Sequence, residues 1–203
     1  MSVDPTSTDD TADLAATFAK EDDRFHVVLG EAGGKGAAIR AGVAGAEGST
    51  ILTCDADLAV DPSEFSQLVE PATRGFVAIA SRSVSGSSRQ DEPLLRLIAG
   101  RGFNALARVL VLPGIHDSQC GFKAFPRDVG ETLLAQTTLD GWVFDVEFLA
   151  LARRAGVRVQ ECPVAWQYCH GSTVRVLRDA AGVLRDLWLL RRRLGRVKAA
   201  GTS

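Results

Sequence analysis

The chain has 203 residues, 46% hydrophobic and 24% charged, with a formal net charge of -2. One ordinary domain can therefore bury a core without metal or disulfide staples, and the basic excess of a nucleic-acid-coating protein is missing. The four cysteines, Cys54, Cys120, Cys162 and Cys169, lie far apart with no C-x-x-C pair, which argues against a zinc ribbon, a redox motif or a secreted disulfide framework and for a reducing, cytoplasmic compartment.

No apolar run is long enough to span a bilayer, and Asp4, Asp9, Asp10 and Asp13 make the N-terminus unlike a signal peptide. Charge is split along the chain: residues 1–100 hold 8 basic and 16 acidic side chains, residues 101–203 hold 15 and 9. Such a split suggests an anionic partner for the second half; the basic amphipathic helix from Thr173 to Val197, carrying Trp188, suits an anionic membrane surface, and the overall charge suits no nucleic acid.

In chain order, Thr11 to Ala19 reads as a helix started by the Ser/Thr/Asp-rich run before it. Phe25 to Leu29 reads as a short strand. Gly34 to Ala46 is rich in small residues but keeps Ile39 and Val43 at helical spacing, so a tightly packed helix entered through a glycine turn is expected. A strand over Thr50 to Cys54 runs into Asp55-Ala56-Asp57, and Pro62 opens a helix over Ser63 to Val69. The continuous apolar run Phe76 to Ala80 predicts a strand covered on both faces.

Beyond it come a polar Gly/Ser loop over Ser83 to Asp91, a helix from about Leu94 to Leu112, a turn at Pro113-Gly114 and a loop over Asp117 to Phe125. A helix over Val143 to Ala155, a strand near Val157 to Val164 and a helix from about Thr173 to Val197 complete the chain. Alternating short apolar strands and helices predict an α/β fold with a mainly parallel sheet, whose ligands sit at the carboxyl ends of the strands.

The residues with chemistry cluster in four segments. Asp55 and Asp57, one residue apart after a buried strand, can share a hard cation that bridges a diphosphate, or can be a solvated, helix-capping turn. Gly33 to Gly42 (GGKGAAIRAG) offers glycines, Lys35 and Arg40 near a helix start, but matches neither the Walker spacing nor the dinucleotide fingerprint; taken alone it reads as a close-packed helix entry. Asp117 to Phe125 (DSQCGFKAF) mixes polar groups, a glycine and two aromatics. Gly141 to Glu147 (GWVFDVE) sets Asp145 and Glu147 at the start of an apolar helix, where a carboxylate can also simply serve the helix N-terminus. His26, His116 and His170 lack ligand spacing and read as structural or exposed.

Taken together and in order, GGKGAAIRAG, DADLA, the Ser81-Arg82 pair, RGFNALARVLVLPGIHDSQCGFKAF, GWVFDVEFLALARRAG and ECPVAW resemble the dolichyl-phosphate glucosyltransferase and polyprenyl-phosphate mannosyltransferase branch of the family 2 glycosyltransferases. The resemblance covers nearly all of residues 30–172. It implies a Rossmann-like GT-A-type domain over 1–172; the residues after it, 173–203, read as a basic amphipathic helix and tail. The implied reaction moves glucose or mannose, with inversion, from UDP-glucose or GDP-mannose to a polyprenyl phosphate. Mg²⁺ or Mn²⁺ would be held by Asp55 and Asp57, and Asp4 and Asp55 would contact the nucleotide. Lys35, Arg40, Arg82, Arg101, Gln119, Lys123 and Arg175 are the implied substrate contacts, and Asp145 and Glu147 the acceptor-side acidic motif. The implied location is cytoplasmic, peripheral on the inner face of a membrane.

The chain departs from the family pattern in places. Ala32 stands where Asn is frequent and Thr173 where Lys is frequent, with Arg175 close by. Val3 to Thr11 looks like the family's V-D-D-G-S-T-D-x-T segment with Pro5 and Thr6 substituted, so Met1 falls where a second strand should be ending and the preceding strand and helix are expected to be missing. The alternatives are a relative that keeps the fold as a binding module or gene fragment, and a nucleotidyltransferase, whose glycine-rich N-terminal loop is not visible.

Overall fold

The computed structural model describes residues 1–3, 9–29, 34–169 and 176–195. Strands and helices alternate: β1 (Ser2–Val3), α1 (Thr11–Glu21), β2 (Val28–Leu29), α2 (Lys35–Ala44), β3 (Thr50–Thr53), a 3-10 turn at Pro62–Phe65 leading into α3 (Ser66–Thr73), and β4 (Val77–Ser81). Then come β5 (Ser88–Gln90), α4 (Leu94–Leu110), β6 (Lys123–Pro126), α5 (Arg127–Leu134), α6 (Phe144–Arg154), β7 (Val159–Pro163), β8 (Ala165–Gln167) and α7 (Val176–Leu194).

The main sheet has the order β3-β6-β4-β7. Strands β3, β4 and β7 run the same way, and β6 runs against both of its neighbours, pairing Thr53 with Lys123 and Ile79 with Lys123. The sheet is thus mainly parallel in strand direction but mixed in its pairings. Residues 123–125 were expected in a loop; they lie in a central strand, β6. Lys123 and Pro126 disguise it, because a buried lysine and a proline are both unusual inside a sheet. Two short parallel pairs, β1 with β2 and β5 with β8, flank this sheet, and β1 has no other strand partner among the described residues.

Side-chain alternation along the strands makes two cores. From β4, Val77 and Ile79 enter a cluster with Phe125, Phe144, Phe148, Leu149 and Leu187, while Ala78 and Ala80 turn to the other face with Leu68, Phe122 and Trp166. Helix α6 is buried at every position from Phe144 to Ala152. A helix that is apolar nearly all round must sit inside the domain, and its polar exceptions need internal partners. The helix expected to form a separate C-terminal segment belongs to the same core: Leu187 and Leu190 of α7 are buried in the first cluster.

Because β3, β4 and β7 point the same way and β6 is reversed, the ends of β3 and β4 and the start of β6 share one edge of the sheet. That edge brings Asp55, Arg82 and Lys123 to one side of the molecule.

Candidate active site

The Asp55-Ala56-Asp57 turn leaves β3 as a tight reversal closed by a hydrogen bond from Leu58 N to Asp55 O, 3.2 Å. Leu58 has φ 48°, a left-handed conformation that costs a non-glycine residue about 1–2 kcal/mol. Neighbouring contacts hold it there. Gln167 N donates to Ala59 O at 2.8 Å, the Cys169 thiol reaches Asp57 O at 3.3 Å, and Val60 bridges to Trp166. Asp57 Oδ1 accepts from Ala59 N at 3.2 Å, and Asp57 makes no ion pair among the described residues.

Asp55 lies against Gly121. A Cβ on Gly121 would fall 2.0 Å from Asp55 Oδ2 and 2.4 Å from Oδ1, so any side chain there would have to displace this carboxylate from its position. On its other side Asp55 Oδ1 is 3.6 Å from Lys35 Nζ. Lys35 in turn is 3.1 Å from Asp145 Oδ2, and the other oxygen of Asp145 is 2.7 Å from Lys123 Nζ. Asp145 is 4% exposed and Lys123 3%. Burial pushes the Asp145 carboxyl up, but Lys123 and Lys35 outweigh it and hold the group below the ordinary carboxylate range. Burial likewise disfavours the charge on Lys35, yet Asp145 and Asp55 raise its pKa above the usual lysine value. Lys35 therefore faces the carboxylates as a cation.

The glycine-rich entry to α2 sets Lys35 in place. Gly34 has φ 85°, and a Cβ on Gly36 would meet Leu139 O and the Phe144 ring, each at 2.7 Å. Gly36 N donates to Asp140 O at 3.0 Å. The start of α2 is thus packed against the backbone of residues 139–140, just before α6, and against the Phe144 ring, which places Lys35 next to Asp145.

Glu147 does not join Asp145. It accepts from Thr138 N, Thr138 Oγ1 and Leu139 N at 2.9–3.1 Å and pairs with Arg193 of α7 at 2.6 Å. Helix geometry separates the two carboxylates of the acceptor-side motif: residues two apart point to roughly opposite sides of a helix. Glu147 ties the 138–139 segment and the C-terminal helix to the core.

Other expected contacts are already engaged. Arg82 makes a two-pronged pair with Asp117, at 2.6 and 2.9 Å, and its guanidinium lies 5.3 Å from the Trp166 ring centroid. Although burial works against its charge, Asp117 is held down to about 2 by Arg82. Arg82 is thereby paired with Asp117 and fixes the position of that segment beside the strand ends. Arg40 pairs with Asp140 and donates to Thr137 Oγ1. Gln119 Nε2 donates to Trp142 O at 3.0 Å, and Arg101 lies exposed on α4. Asp4 and Arg175 lie outside the described residues.

Three supporting groups were not singled out from sequence. Buried Asn104 accepts from Ser118 N and Oγ, both at 2.9 Å. Glu161 accepts from Ser81 Oγ at 2.8 Å, Asp117 N at 3.0 Å and His116 N at 2.9 Å. Asp117 completes the set. The signal available was an Asn on the apolar side of a helix, since such a buried amide needs polar partners.

Together the strand-end edge, the acidic turn and the paired lysines define a class. The glycosyl transferase family 2 model matches residues 2–134, and the chain belongs to that family, with the α/β fold of GT-A type. Among relatives it is similar to glycosyltransferase AglD of Haloferax volcanii, 36% identical over 188 residues that cover 90% of this chain and 30% of AglD. It is also similar to the dolichyl-phosphate beta-glucosyltransferase of Saccharomyces cerevisiae, 30% identical over 209 residues that cover 93% of this chain and 63% of the yeast protein. The chain thus spans between about a third and two thirds of these relatives. Glucosyl-3-phosphoglycerate synthase from Mycobacterium tuberculosis, solved with UDP, shares the fold at a TM-score of 0.62 and 19% identity over 98% of this chain and 69% of the synthase. The same enzyme was also solved with Mn²⁺, UDP-glucose and glycerol 3-phosphate.

Proposed function

We propose that this chain is a catalytic domain that transfers glucose from UDP-glucose to a polyprenyl phosphate of the dolichyl type, with inversion at the anomeric carbon. The observation that carries this reading is the convergence of Asp55, Asp57, Lys35, Asp145 and Lys123 at the strand ends. The names of the relatives support a dolichyl phosphate acceptor and a β-glucoside product, and the UDP in the structural neighbour supports a uridine donor over GDP-mannose.

The donor set fits a hard divalent cation. Asp55 and Asp57 offer exposed carboxylate oxygens on one turn, and Mg²⁺ or Mn²⁺ sites commonly use one or two carboxylates completed by substrate phosphates. No cluster of three or more His, Cys, Asp or Glu suited to a metal occurs among the described residues, so donor phosphates and water would supply the remaining ligands. A cation there would neutralise the leaving diphosphate.

The acceptor phosphate is already anionic at neutral pH, so its oxygen can attack the anomeric carbon without a general base. One C–O bond forms as the bond to the β-phosphate breaks, and UDP leaves with the electron pair. The protein's task is orientation and charge balance. Asp145, held ionised between two ammonium groups, positions Lys35 and Lys123 rather than accepting a proton.

The acceptor's lipid places the working domain at a membrane surface. Among the described residues no helix is long and apolar enough to cross a membrane. Leu94, Leu95 and Ile98 on α4, and Leu184 and Trp188 on α7, are each at least half exposed, and Arg192 stacks over Trp188. Apolar side chains beside arginines suit a peripheral contact with an anionic, cytoplasm-facing leaflet.

Transfer of labelled glucose from UDP-glucose to dolichyl phosphate in anionic vesicles, with GDP-mannose in parallel, tests the reading. Glucose transfer that requires Mg²⁺ or Mn²⁺ is expected. Metal-dependent UDP binding without transfer would favour the binding-module alternative, and mannose transfer would overturn the donor assignment.

A further inference from the structure

Resting on the cation site just proposed, we infer that Lys35 is a built-in competitor for the divalent cation, so that the metal binds weakly alone and tightly only with the donor diphosphate.

One side of the Asp55 carboxylate is closed by Gly121, whose Cβ position lies 2.0 Å from Oδ2. The other side is faced by the Lys35 ammonium, 3.6 Å from Oδ1. A cation that takes Asp55 therefore arrives beside an existing positive charge, and like charges at this separation repel appreciably even near a protein surface. Lys35 cannot simply be dismissed into solvent, because Asp145 holds it at 3.1 Å. Asp145 is itself nearly inaccessible, and its second oxygen is committed to Lys123. The lysine side chain is about a third exposed, with 35% of its surface accessible, which leaves its ammonium reachable by an incoming anion.

Counting charges completes the picture. Lys35 and Lys123 balance Asp55 and Asp145, leaving Asp57 as the one carboxylate of the turn without an ion pair among the described residues. With Asp57 the five side chains carry one net negative charge, so a dication alone would leave a positive excess, whereas a dication with an anionic diphosphate would not. The diphosphate offers Lys35 a new partner and frees Asp55 Oδ1 for the metal. Metal and donor binding are thereby coupled, and by linkage each strengthens the other by the same factor.

The test is calorimetric titration of Mn²⁺ into the protein, with and without UDP, for the parent, Lys35→Met and Lys35→Arg. Lys35→Met should bind Mn²⁺ alone about tenfold more tightly than the parent, and UDP should strengthen its Mn²⁺ binding by a correspondingly smaller factor. Lys35→Arg keeps the charge and should retain the weak binding of the parent. Mn²⁺ affinity that is unchanged or weaker in Lys35→Met would overturn the inference while leaving the cation site standing. A parent that fails to bind Mn²⁺ even with UDP would instead overturn the site on which the inference rests.

Discussion

The turn Asp55-Ala56-Asp57 and the helix start Asp145-Val146-Glu147 carry the same spacing of acids and do opposite things. In the turn both carboxylates remain exposed on one edge of the sheet. On α6 both are buried, and they diverge: Asp145 toward Lys35 and Lys123, Glu147 toward Thr138, Leu139 and Arg193. The spacing of acids in sequence therefore does not define a site. The backbone beneath it decides whether two carboxylates can share one ligand, and burial decides whether they bind substrate or hold the scaffold.

The largest expected effect falls on the scaffold side. Glu147→Ala removes a fully buried carboxylate and leaves the Thr138 and Leu139 N–H groups and Arg193 without their acceptor. A loss of about 3 kcal/mol in unfolding free energy is expected from urea denaturation. An effect below about 1 kcal/mol would mean that Glu147 is not the anchor described.

A slightly smaller effect concerns Asp117, held down to about 2 in the fold beside Arg82. Because its folded pKa lies below the unfolded value near 3.8, its stabilisation is fully present above pH 4 and fades as pH falls toward 2. The contribution is about 2 kcal/mol. Urea midpoints followed from pH 7 down to pH 2 should drop steeply below pH 4, and Asp117→Asn should be less stable at pH 7 with a shallower acid slope. A mutant with the parent's acid slope would remove Asp117 from this role.

The smallest effect on stability, and a sharp one on binding, is expected at Gly121. The Cβ of Gly121→Ala meets only the end of the Asp55 side chain, which can swing away, so the fold should lose less than about 1 kcal/mol. The displaced carboxylate should nevertheless weaken Mn²⁺-dependent UDP binding about tenfold. Parent-like binding would show that Asp55 is free to ligate from another position.

Much of this architecture was readable from the chain. The strand before Asp55, the covered run at Val77–Ser81 and the helices around Leu94–Leu110 and Phe144–Arg154 all follow from apolar periodicity. What escaped were elements whose residues contradict their location. Strand β6 contains Lys123 and Pro126, α5 is only eight residues long with Gly130 inside it, and β5 and β8 are three-residue pieces without an apolar run.

The site divides the same way. Lys35, Asp55, Lys123 and Asp145 could be named from motifs, and the fold brings them together. Their pairing could not be read, because it depends on β6 running against its neighbours and on Gly36 packing against Leu139 and Phe144. The partners of Arg82 and Glu147 were hidden for a related reason: Asp117 and Arg193 are 35 and 46 positions away, and a charged side chain in a motif looks the same whether it meets a substrate or a buried counter-ion.

The account centres on the turn after β3 as the place where a divalent cation joins the nucleotide diphosphate. Calorimetric titration of UDP into the parent and Asp57→Asn, each with and without Mn²⁺, measures this directly. Asn keeps an oxygen for Ala59 N and should leave thermal unfolding unchanged. UDP is expected to bind the parent only with Mn²⁺ and to lose at least tenfold in affinity in the variant. Equal Mn²⁺-dependent binding by the two proteins, or UDP binding to the parent that is indifferent to metal, would contradict the account.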